Sequence, residues 1–274
     1  MRSFRARLAE TIAHRDTILC IGLDYDPQLV PASVRAGARD ETAAAAAFNR
    51  AIIDATADLV CAYKPNLAFY EALGPCGMAA LSDTVRHVPD GVLVIGDAKR
   101  GDIGNTMQRY ARALFDVYAF DAATVSPFLG RDALEPFLAR PDRGAFVLCR
   151  TSNPGAAEIQ DLLVDGEPLY EVIARRVESW DTYRNTGLVV GATQPRELAR
   201  IRDLCPETPI LVPGVGAQGG DAATAAAAAT KGGASALINV ARQVLYASPG
   251  PDFATAARGA ALRLRDLCNR ARTR

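Results

Sequence analysis

The residues best suited to chemistry in this 274-residue chain stand together at the end of one apolar segment. Asp97 and Lys99 follow the strand-like run 92–95, and Asp102 comes shortly after them. Residues two apart share a face of an extended strand, so Asp97 and Lys99 are expected to point the same way. Gly101 permits a turn that keeps Asp102 close. An ammonium flanked by carboxylates stays charged and can stabilise a negative charge that develops beside it.

The same row of charges also has two purely structural interpretations. Ion pairs at the end of a strand can cap the mouth of a barrel and perturb pKa values without taking part in a reaction. Asp102 can also be the N-cap of a helix that begins near Ile103. The motif alone does not distinguish these structural interpretations from catalysis, so residues elsewhere in the chain are needed.

Composition argues against several classes of function. With 49% hydrophobic and 23% charged residues the chain can bury one large core, and an α/β barrel takes about 250 residues as a single domain. The 31 basic and 31 acidic residues give zero net charge, so no nucleic-acid or membrane surface is indicated. No run approaches the ~18 apolar residues of a membrane span, and the N-terminal segment lacks the apolar region of a signal peptide. We therefore expect a cytoplasmic protein.

Histidine and cysteine chemistry is not indicated. The two histidines, His14 and His87, lie in polar segments that are predicted to be helical, which is typical of surface positions. The six cysteines are scattered without a CxxC pair, so neither a disulfide framework nor a zinc site is predicted. Acid–base work is therefore assigned to lysine and aspartate, and no metal site is expected.

Short apolar runs alternate with longer helical patterns along the chain. The predicted strands are 18–23, 59–63, 92–95, 122–125, 145–149, 188–190, 210–212 and 236–240. Predicted helices include 42–58, 107–118, 169–183 and 221–231. Eight near-continuous apolar strands with helices between them predict an α/β fold, a parallel (β/α)₈ TIM barrel that occupies residues 1–274 as a single domain. A doubly wound open sheet is the main alternative.

Polar residues stand at the carboxyl ends of six of these strands, where barrels place their functional groups. They are Asp24, Lys64, Asp97 with Lys99, Ser152 with Asn153, the segment 214–220, and Arg242. The glycines of segment 214–220 let backbone N–H groups approach an anion, and the helix predicted to begin near Asp221 adds its N-terminus. The guanidinium of Arg242 suits a phosphate dianion. A phosphate site is therefore predicted, with an ordinary glycine-rich turn and a solvated arginine as the structural alternative.

Several segments together resemble the orotidine 5′-phosphate decarboxylase family. The most specific are the runs 97–102, Asp-Ala-Lys-Arg-Gly-Asp, and 213–221, Pro-Gly-Val-Gly-Ala-Gln-Gly-Gly-Asp. Weaker matches follow in the same order and with barrel-like spacing at 22–24, 63–65, 151–155 and 239–242. The runs Lys-Pro-Asn at 64–66 and Ser-Asn-Pro-Gly at 152–155 are similar to the longer bacterial branch of that family.

The resemblance implies a homodimeric barrel that converts orotidine 5′-monophosphate to UMP and CO₂ without a metal or organic cofactor. Loss of CO₂ from C6 leaves a carbanion that the pyrimidine ring cannot delocalise, so preorganised charge has to stabilise it. Lys99 is implied to stabilise and protonate this carbanion, while Asp97 holds its ammonium. Lys64 and Asp102 complete the implied catalytic array. Asp102 and Thr106 are implied to enter the active site of the neighbouring subunit.

The resemblance also implies the residues that bind the substrate. Ile103 is expected to line the pocket near the departing CO₂. Asp24 and Lys64 are expected to bind the ribose hydroxyls, and Ser152 to read the amide edge of the pyrimidine. The residues assigned to the phosphate and its loop are Pro213, Gly214, Gly216, Gln218 and Arg242.

Two other kinds of function remain open. A related sugar-phosphate decarboxylase or a Schiff-base aldolase can also place a lysine from a barrel strand beside a phosphate loop. An aldolase lysine needs a depressed pKa, whereas carboxylates flank Lys99 in the sequence. A nucleotide-binding barrel without catalysis is the second alternative, although its charged array is expected to be broken and here every member is present.

Overall fold

Eight parallel strands close into one barrel in the computed structural model, which describes residues 2–216 and 219–272. The predicted TIM barrel is therefore confirmed, and the doubly wound open sheet is wrong. The first strand pairs with both the second and the last, which closes the ring. The barrel strands are β1 (Leu19–Gly22), β2 (Ala62–Lys64), β3 (Leu93–Arg100), β4 (Ala122–Val125), β5 (Gly144–Arg150), β8 (Thr186–Val190), β9 (Ile210–Val212) and β10 (Ala236–Val240). A separate antiparallel hairpin after β5 consists of β6 (Leu163–Val164) and β7 (Glu167–Pro168).

Helices surround the barrel and connect its strands. The longer ones are α1 (Phe4–Arg15), α3 (Glu41–Thr56), α5 (Gly74–His87), α6 (Gly104–Arg112), α7 (Arg131–Leu138), α9 (Leu169–Trp180), α10 (Pro195–Leu204), α11 (Ala222–Ala229) and α13 (Phe253–Ala271). The shorter ones are α2 (Ala32–Ala36), α4 (Leu67–Glu71), α8 (Ala157–Gln160) and α12 (Arg242–Leu245). No helix within the described ranges is long and apolar enough to cross a membrane.

The alternation of side chains along the strands separates two cores. The outward residues of the strands, such as Ile21 and Tyr63, pack against the helices. The inward residues, such as Ala62 and Ile95, form a smaller core inside the ring. Because side chains alternate along a strand, the next inward positions toward the carboxyl ends carry the polar side chains at the barrel mouth. These positions are Lys64, Asp97, Thr124 and Asn239.

Helix α1 closes the amino-terminal end of the barrel. Phe4 and Leu8 of this helix are fully buried and belong to the inner core. The ring of Phe4 meets the ring of Phe146 edge-on, with 5.9 Å between their centroids. Because apolar side chains fill this end of the barrel interior, the inward polar side chains lie at its carboxyl end.

The charged motif departs from the predicted geometry in one respect. Strand β3 continues through the motif to Arg100, and its pairing with β4 shifts register between Gly96 and Arg100. The backbone turns at Lys99, where φ is 47°, whereas the sequence predicted a turn permitted by Gly101. A residue with a side chain rarely adopts this left-handed conformation, so surrounding contacts must hold it in place.

Candidate active site

A cavity of about 520 Å³ opens at the carboxyl ends of the barrel strands. The predicted site residues that line it are Asp24, Lys64, Asp97, Lys99, Ser152, Pro213, Gly214 and Arg242. Leu148, Val189 and Leu211 add apolar lining from inside the barrel. A larger groove of about 1050 Å³ lies beside α1 at the opposite end, and none of the predicted site residues lines it. The cavity at the mouth is therefore the candidate active site.

Three charged side chains from two adjacent strands form one ion-pair array in this cavity. Lys64 Nζ lies 2.6 Å from Oδ2 of Asp97, and Lys99 Nζ lies 2.7 Å from Oδ1 of the same carboxylate. Lys64 and Asp97 are buried, whereas the side chain of Lys99 is 49% exposed. The sequence-based expectation that Asp97 and Lys99 come together is thus confirmed, and Lys99 is the member whose ammonium is open to a ligand.

The electrostatics of the array keep Asp97 and Lys64 charged. Burial alone raises the pKa of the Asp97 carboxyl, but the ammonium groups of Lys64 and Lys99 outweigh it and hold that pKa well below its usual value. Burial lowers the pKa of Lys64, but the carboxylates of Asp97 and Asp24 outweigh it and raise that pKa above its usual value. The buried pair of Lys64 and Asp97 therefore presents fixed charge to a bound molecule at physiological pH.

Hydrogen bonds to the backbone and to the side chain of Asp97 hold this residue in place. Its N–H donates to the carbonyl of Pro65 over 3.0 Å. The hydroxyl of Thr124 on β4, which is 1% exposed, donates to Asp97 Oδ1 over 2.9 Å. These contacts, together with Lys64, leave the carboxylate little freedom to rotate away from Lys99.

Asp24 brings a second carboxylate to the cavity, but it is not fully partnered. Its Oδ1 atom is buried without a hydrogen-bond partner in the structure. Burial raises the pKa of this carboxyl above its usual value, although the charge of Lys64 and a backbone hydrogen bond from Asn66 partly oppose the rise. A buried acceptor without a partner is costly, so this oxygen is suited to accept a hydrogen bond from a ligand hydroxyl.

The loop after β5 is held by an amide that sequence reasoning missed. Gln160 Oε1 accepts hydrogen bonds from Thr151 N over 2.9 Å and from Arg150 Nη1 over 3.2 Å. Its Nε2 donates to Thr151 Oγ1 over 2.8 Å, and that hydroxyl donates to Asn153 Oδ1 over 2.7 Å. This chain of contacts fixes the segment in which Ser152 faces the cavity.

The predicted phosphate loop has the expected glycine backbone, but most of its glycine N–H groups already donate hydrogen bonds within the loop. Gly214 and Gly216 adopt φ values of 92° and 74°, which favour glycine. The N–H groups of Gly216 and Gly220 donate to carbonyls of the same loop over 3.0 and 3.2 Å. Asp221 caps α11, as its Oδ1 accepts from Thr224 N over 2.7 Å. The expected cradle of backbone N–H groups is therefore mostly occupied in this conformation.

Arg242 is a side-chain donor available to an anion at this end of the cavity. It is exposed, begins the short helix α12 and lines the cavity beside Pro213 and Gly214. Gly216 does not line the cavity. Gln218, which the resemblance assigned to the phosphate, lies outside the residues that the structure describes. The phosphate assignment stays a prediction that rests mainly on Arg242.

Asp102, Ile103 and Thr106 do not line the cavity of their own chain. Ile103 is 62% exposed, and its N–H donates to Asp102 Oδ1 over 2.7 Å. Helix α6 begins at Gly104 with Ile103 at the N-cap position, so the alternative of Asp102 as the N-cap is wrong. Asp102 is half-buried and Thr106 is exposed, and the entry of these side chains into a neighbouring active site stays a prediction.

Comparison with known proteins agrees with this geometry. A family model described as orotidine 5′-phosphate decarboxylase / HUMPS family matches residues 17–258. The chain is 54% identical to orotidine 5′-phosphate decarboxylase of Thermomicrobium roseum, over 98% of this chain and 96% of that protein. It is 47% identical to orotidine 5′-phosphate decarboxylase of Cupriavidus necator, over 98% of this chain and 99% of that protein.

A solved structure shows the same arrangement of the chain. The structure of OMP decarboxylase from Leishmania donovani superposes with a TM-score of 0.82 at 38% identity, covering 97% of this chain and 99% of that chain. The family model, the relatives and the solved structure all cover most of the barrel and the charged motif at its mouth. The chain belongs to the orotidine 5′-phosphate decarboxylase / HUMPS family.

Proposed function

We propose that the barrel mouth converts orotidine 5′-monophosphate to UMP and CO₂, which makes the protein a carboxy-lyase of pyrimidine nucleotide biosynthesis. The observation that carries the proposal is the array in which Asp97 binds Lys64 and Lys99 at 2.6 and 2.7 Å. The relatives named above support the same reaction.

Fixed charge is the kind of catalysis that this reaction requires. Breaking the bond between C6 and the carboxylate leaves an electron pair in the plane of the ring, and CO₂ departs. The ammonium of Lys99 stabilises that pair electrostatically and then transfers one proton to C6, which gives UMP and a neutral amine that regains a proton from solvent. Asp97 keeps the ammonium in place, so no reorganisation is required when the charge develops. The reaction as written needs no metal or organic cofactor.

The other cavity residues suit the remaining parts of the nucleotide. Asp24, with its unpartnered buried oxygen, and Lys64 bind the ribose hydroxyls. Ser152 reads the amide edge of the base from the loop that Gln160 holds. Arg242 binds the phosphate, together with Gln218. Binding of these remote parts supplies energy to position C6 against Lys99.

The assembly and location follow from the same proposal. A homodimer in the cytoplasm supplies Asp102 and Thr106 of each subunit to the other subunit's active site, since neither residue lines the cavity of its own chain. Ile103, which is 62% exposed, then becomes buried near the departing CO₂. The small-molecule nucleotide is the substrate, and no nucleic-acid or membrane partner is proposed.

A Schiff-base aldolase is disfavoured by the same array. Imine formation needs an amine that is free to attack a carbonyl, whereas Lys99 Nζ lies 2.7 Å from the carboxylate of Asp97. A chelator distinguishes the proposed enzyme from a metal-dependent sugar-phosphate decarboxylase, because it inactivates only the metal-dependent enzyme.

Purified protein treated with EDTA is expected to convert orotidine 5′-monophosphate to UMP at the untreated rate. The measurement is the fall in ultraviolet absorbance of the orotate ring, with UMP identified by chromatography. No turnover of this nucleotide contradicts the proposed function. Turnover that EDTA abolishes and a divalent metal restores contradicts the cofactor-free mechanism.

The chain offers a matched set of lysine variants, because it contains only Lys64, Lys99 and Lys231. Lys99→Ala is expected to lower kcat by more than about 1000-fold while UMP still binds, because it removes the charge that acts in the transition state.

Arg242→Ala is expected chiefly to raise KM, by about 10- to 100-fold, because it removes a charge-assisted hydrogen bond. Lys231→Ala, which removes a surface ion pair to Asp203, is the control and should leave both constants unchanged. Equal and small effects of the first two variants would contradict the assignment.

Asp24→Asn is expected to stabilise the ligand-free protein and to weaken nucleotide binding. Burial raises the pKa of the Asp24 carboxyl in the folded state, so the folded protein binds this proton more tightly than the unfolded chain. The free energy of unfolding then falls as the pH rises from the unfolded pKa of about 3.9 through the folded pKa. At neutral pH the ionised, buried carboxylate of Asp24 therefore destabilises the folded protein to its full extent. The variant should raise the melting temperature at pH 7 by about 2–4 °C and weaken UMP binding by about 10-fold or more.

The control for this measurement is Asp90→Asn, since Asp90 is exposed and far from the cavity at the mouth. The gain in melting temperature from Asp24→Asn should shrink as the pH is lowered toward about 4. A lower melting temperature at pH 7, or unchanged UMP affinity, would show that Asp24 is a structural carboxylate.

Mixed dimers test the contribution of Asp102 across subunits. Lys99→Ala and Asp102→Ala homodimers are each expected to be inactive. Random reassembly of equal amounts should restore about one quarter of the wild-type sites, because half of the dimers are mixed and each has one intact site. If Asp102 acts within its own chain, the mixture stays inactive. Recovery of activity on mixing, measured after dilution from mild denaturant, distinguishes the two arrangements.

A further inference from the structure

Thr124 connects the reactive lysine to the carboxylate that holds it. Its hydroxyl accepts the backbone N–H groups of Ala98 and Lys99 over 3.0 and 2.9 Å. The same oxygen lies 2.9 Å from Asp97 Oδ1. Thr124 is 1% exposed, so water does not compete for its hydroxyl.

The direction of the hydroxyl proton follows from counting donors and acceptors. A threonine hydroxyl has one proton and two lone pairs. Two backbone N–H groups occupy the lone pairs of Thr124, so its proton must go to the carboxylate of Asp97. Oδ1 of Asp97 therefore receives both this proton and the ammonium of Lys99, which lies at 2.7 Å.

The two N–H groups that Thr124 accepts belong to the segment where β3 leaves regular geometry. Lys99 has a φ of 47°, and the pairing of β3 with β4 shifts register around it. Such a backbone conformation is unfavourable for a residue with a side chain and persists only when its surroundings enforce it. The contacts of Thr124 to Ala98 and Lys99 are part of that enforcement.

We propose that Thr124 is a positioning residue for the decarboxylation, acting through Lys99 and Asp97. One hydroxyl fixes the turn that carries the lysine and, at the same time, the carboxylate that receives its ammonium. The inference rests on the proposed function, because the benefit of this positioning is felt in the reaction. Thr124 itself touches no reacting atom.

The test compares three variants of buried threonines in the full-length protein. Thr124→Val keeps the volume and removes the hydroxyl, whereas Thr124→Ser keeps the hydroxyl. The control is Thr186→Val on β8, since Thr186 is equally buried and its hydroxyl oxygen has no hydrogen-bond partner in the structure. Should Thr124→Val fail to fold, Thr124→Cys keeps the volume with only a weak donor and acceptor.

Thr124→Val is expected to lower kcat by about 100-fold, since a displacement of about 1 Å in a catalytic group has an effect of this size. KM should stay within about threefold of wild type, because the substrate contacts of Arg242, Asp24 and Ser152 remain. Thr124→Ser should recover kcat to within about threefold, and Thr186→Val should not change it. Wild-type kcat in the Thr124→Val variant, or an equal loss in Thr186→Val, would overturn the proposal.

Lysine NMR supplies a readout that does not require turnover. With ¹³Cε-labelled lysine the chain gives only three side-chain signals, from Lys64, Lys99 and Lys231. The Lys99 signal should move in Thr124→Val and return in Thr124→Ser, while that of Lys231 stays fixed. An unchanged Lys99 signal would overturn the proposal even if the wild-type protein decarboxylates its substrate. If the wild type is inactive but the Lys99 signal moves as expected, the proposed function fails while the positioning of Lys99 stands.

Discussion

A carboxylate buried between two ammonium groups is the interaction on which the active site depends. Removing Asp97 from water carries a penalty of several kcal/mol, and only close opposite charges and hydrogen bonds offset it. Lys64 is in the same position, since its side chain is 4% exposed and its charge is balanced by Asp97 and Asp24. The buried charges of Asp97 and Lys64 therefore depend on each other. Lys99 is half exposed, so its ammonium can contact a ligand as well as its own carboxylate.

The barrel makes this array possible because the apolar core that stabilises the fold and the polar active site lie at different ends of it. Parallel strands bring their carboxyl ends together, so side chains far apart in sequence, such as Lys64 and Thr124, meet around Asp97. The inner core and helix α1 fill the other end with apolar groups, including Phe4 against Phe146. The mouth can then carry groups that cost stability. The buried, unpartnered oxygen of Asp24 is one of them, and such a cost is typical of a group selected for binding.

Much of the fold and part of the site could be predicted from the sequence. Strands buried on both faces are continuous apolar runs, and all eight were found within a few residues. Alternation along those strands also predicts that Lys64 and Asp97 point inward, and the same rule applied to β4 would have found Thr124. Gln160 gave no such signal, because its role depends on how an irregular loop folds back onto Thr151. The glycine-rich loop was predicted as a cradle of free N–H groups, but a sequence does not show that those groups bond within the loop.

The backbone at Lys99 shows why the alternation of side chains along a regular strand does not predict the position of the reactive lysine. In a regular strand Asp97 and Lys99 would lie about 6.6 Å apart with parallel side chains, and the long lysine would extend past the carboxylate. Strand β3 continues to Arg100, but the left-handed backbone at Lys99 interrupts its regular geometry. Lys99 Nζ lies 2.7 Å from Oδ1 of Asp97, and half of the lysine side chain is exposed. Strain of this kind, on the order of 1–3 kcal/mol, is tolerated where several contacts enforce it. Thr124 and the array provide those contacts, so the least regular backbone of the motif carries its most exposed charge.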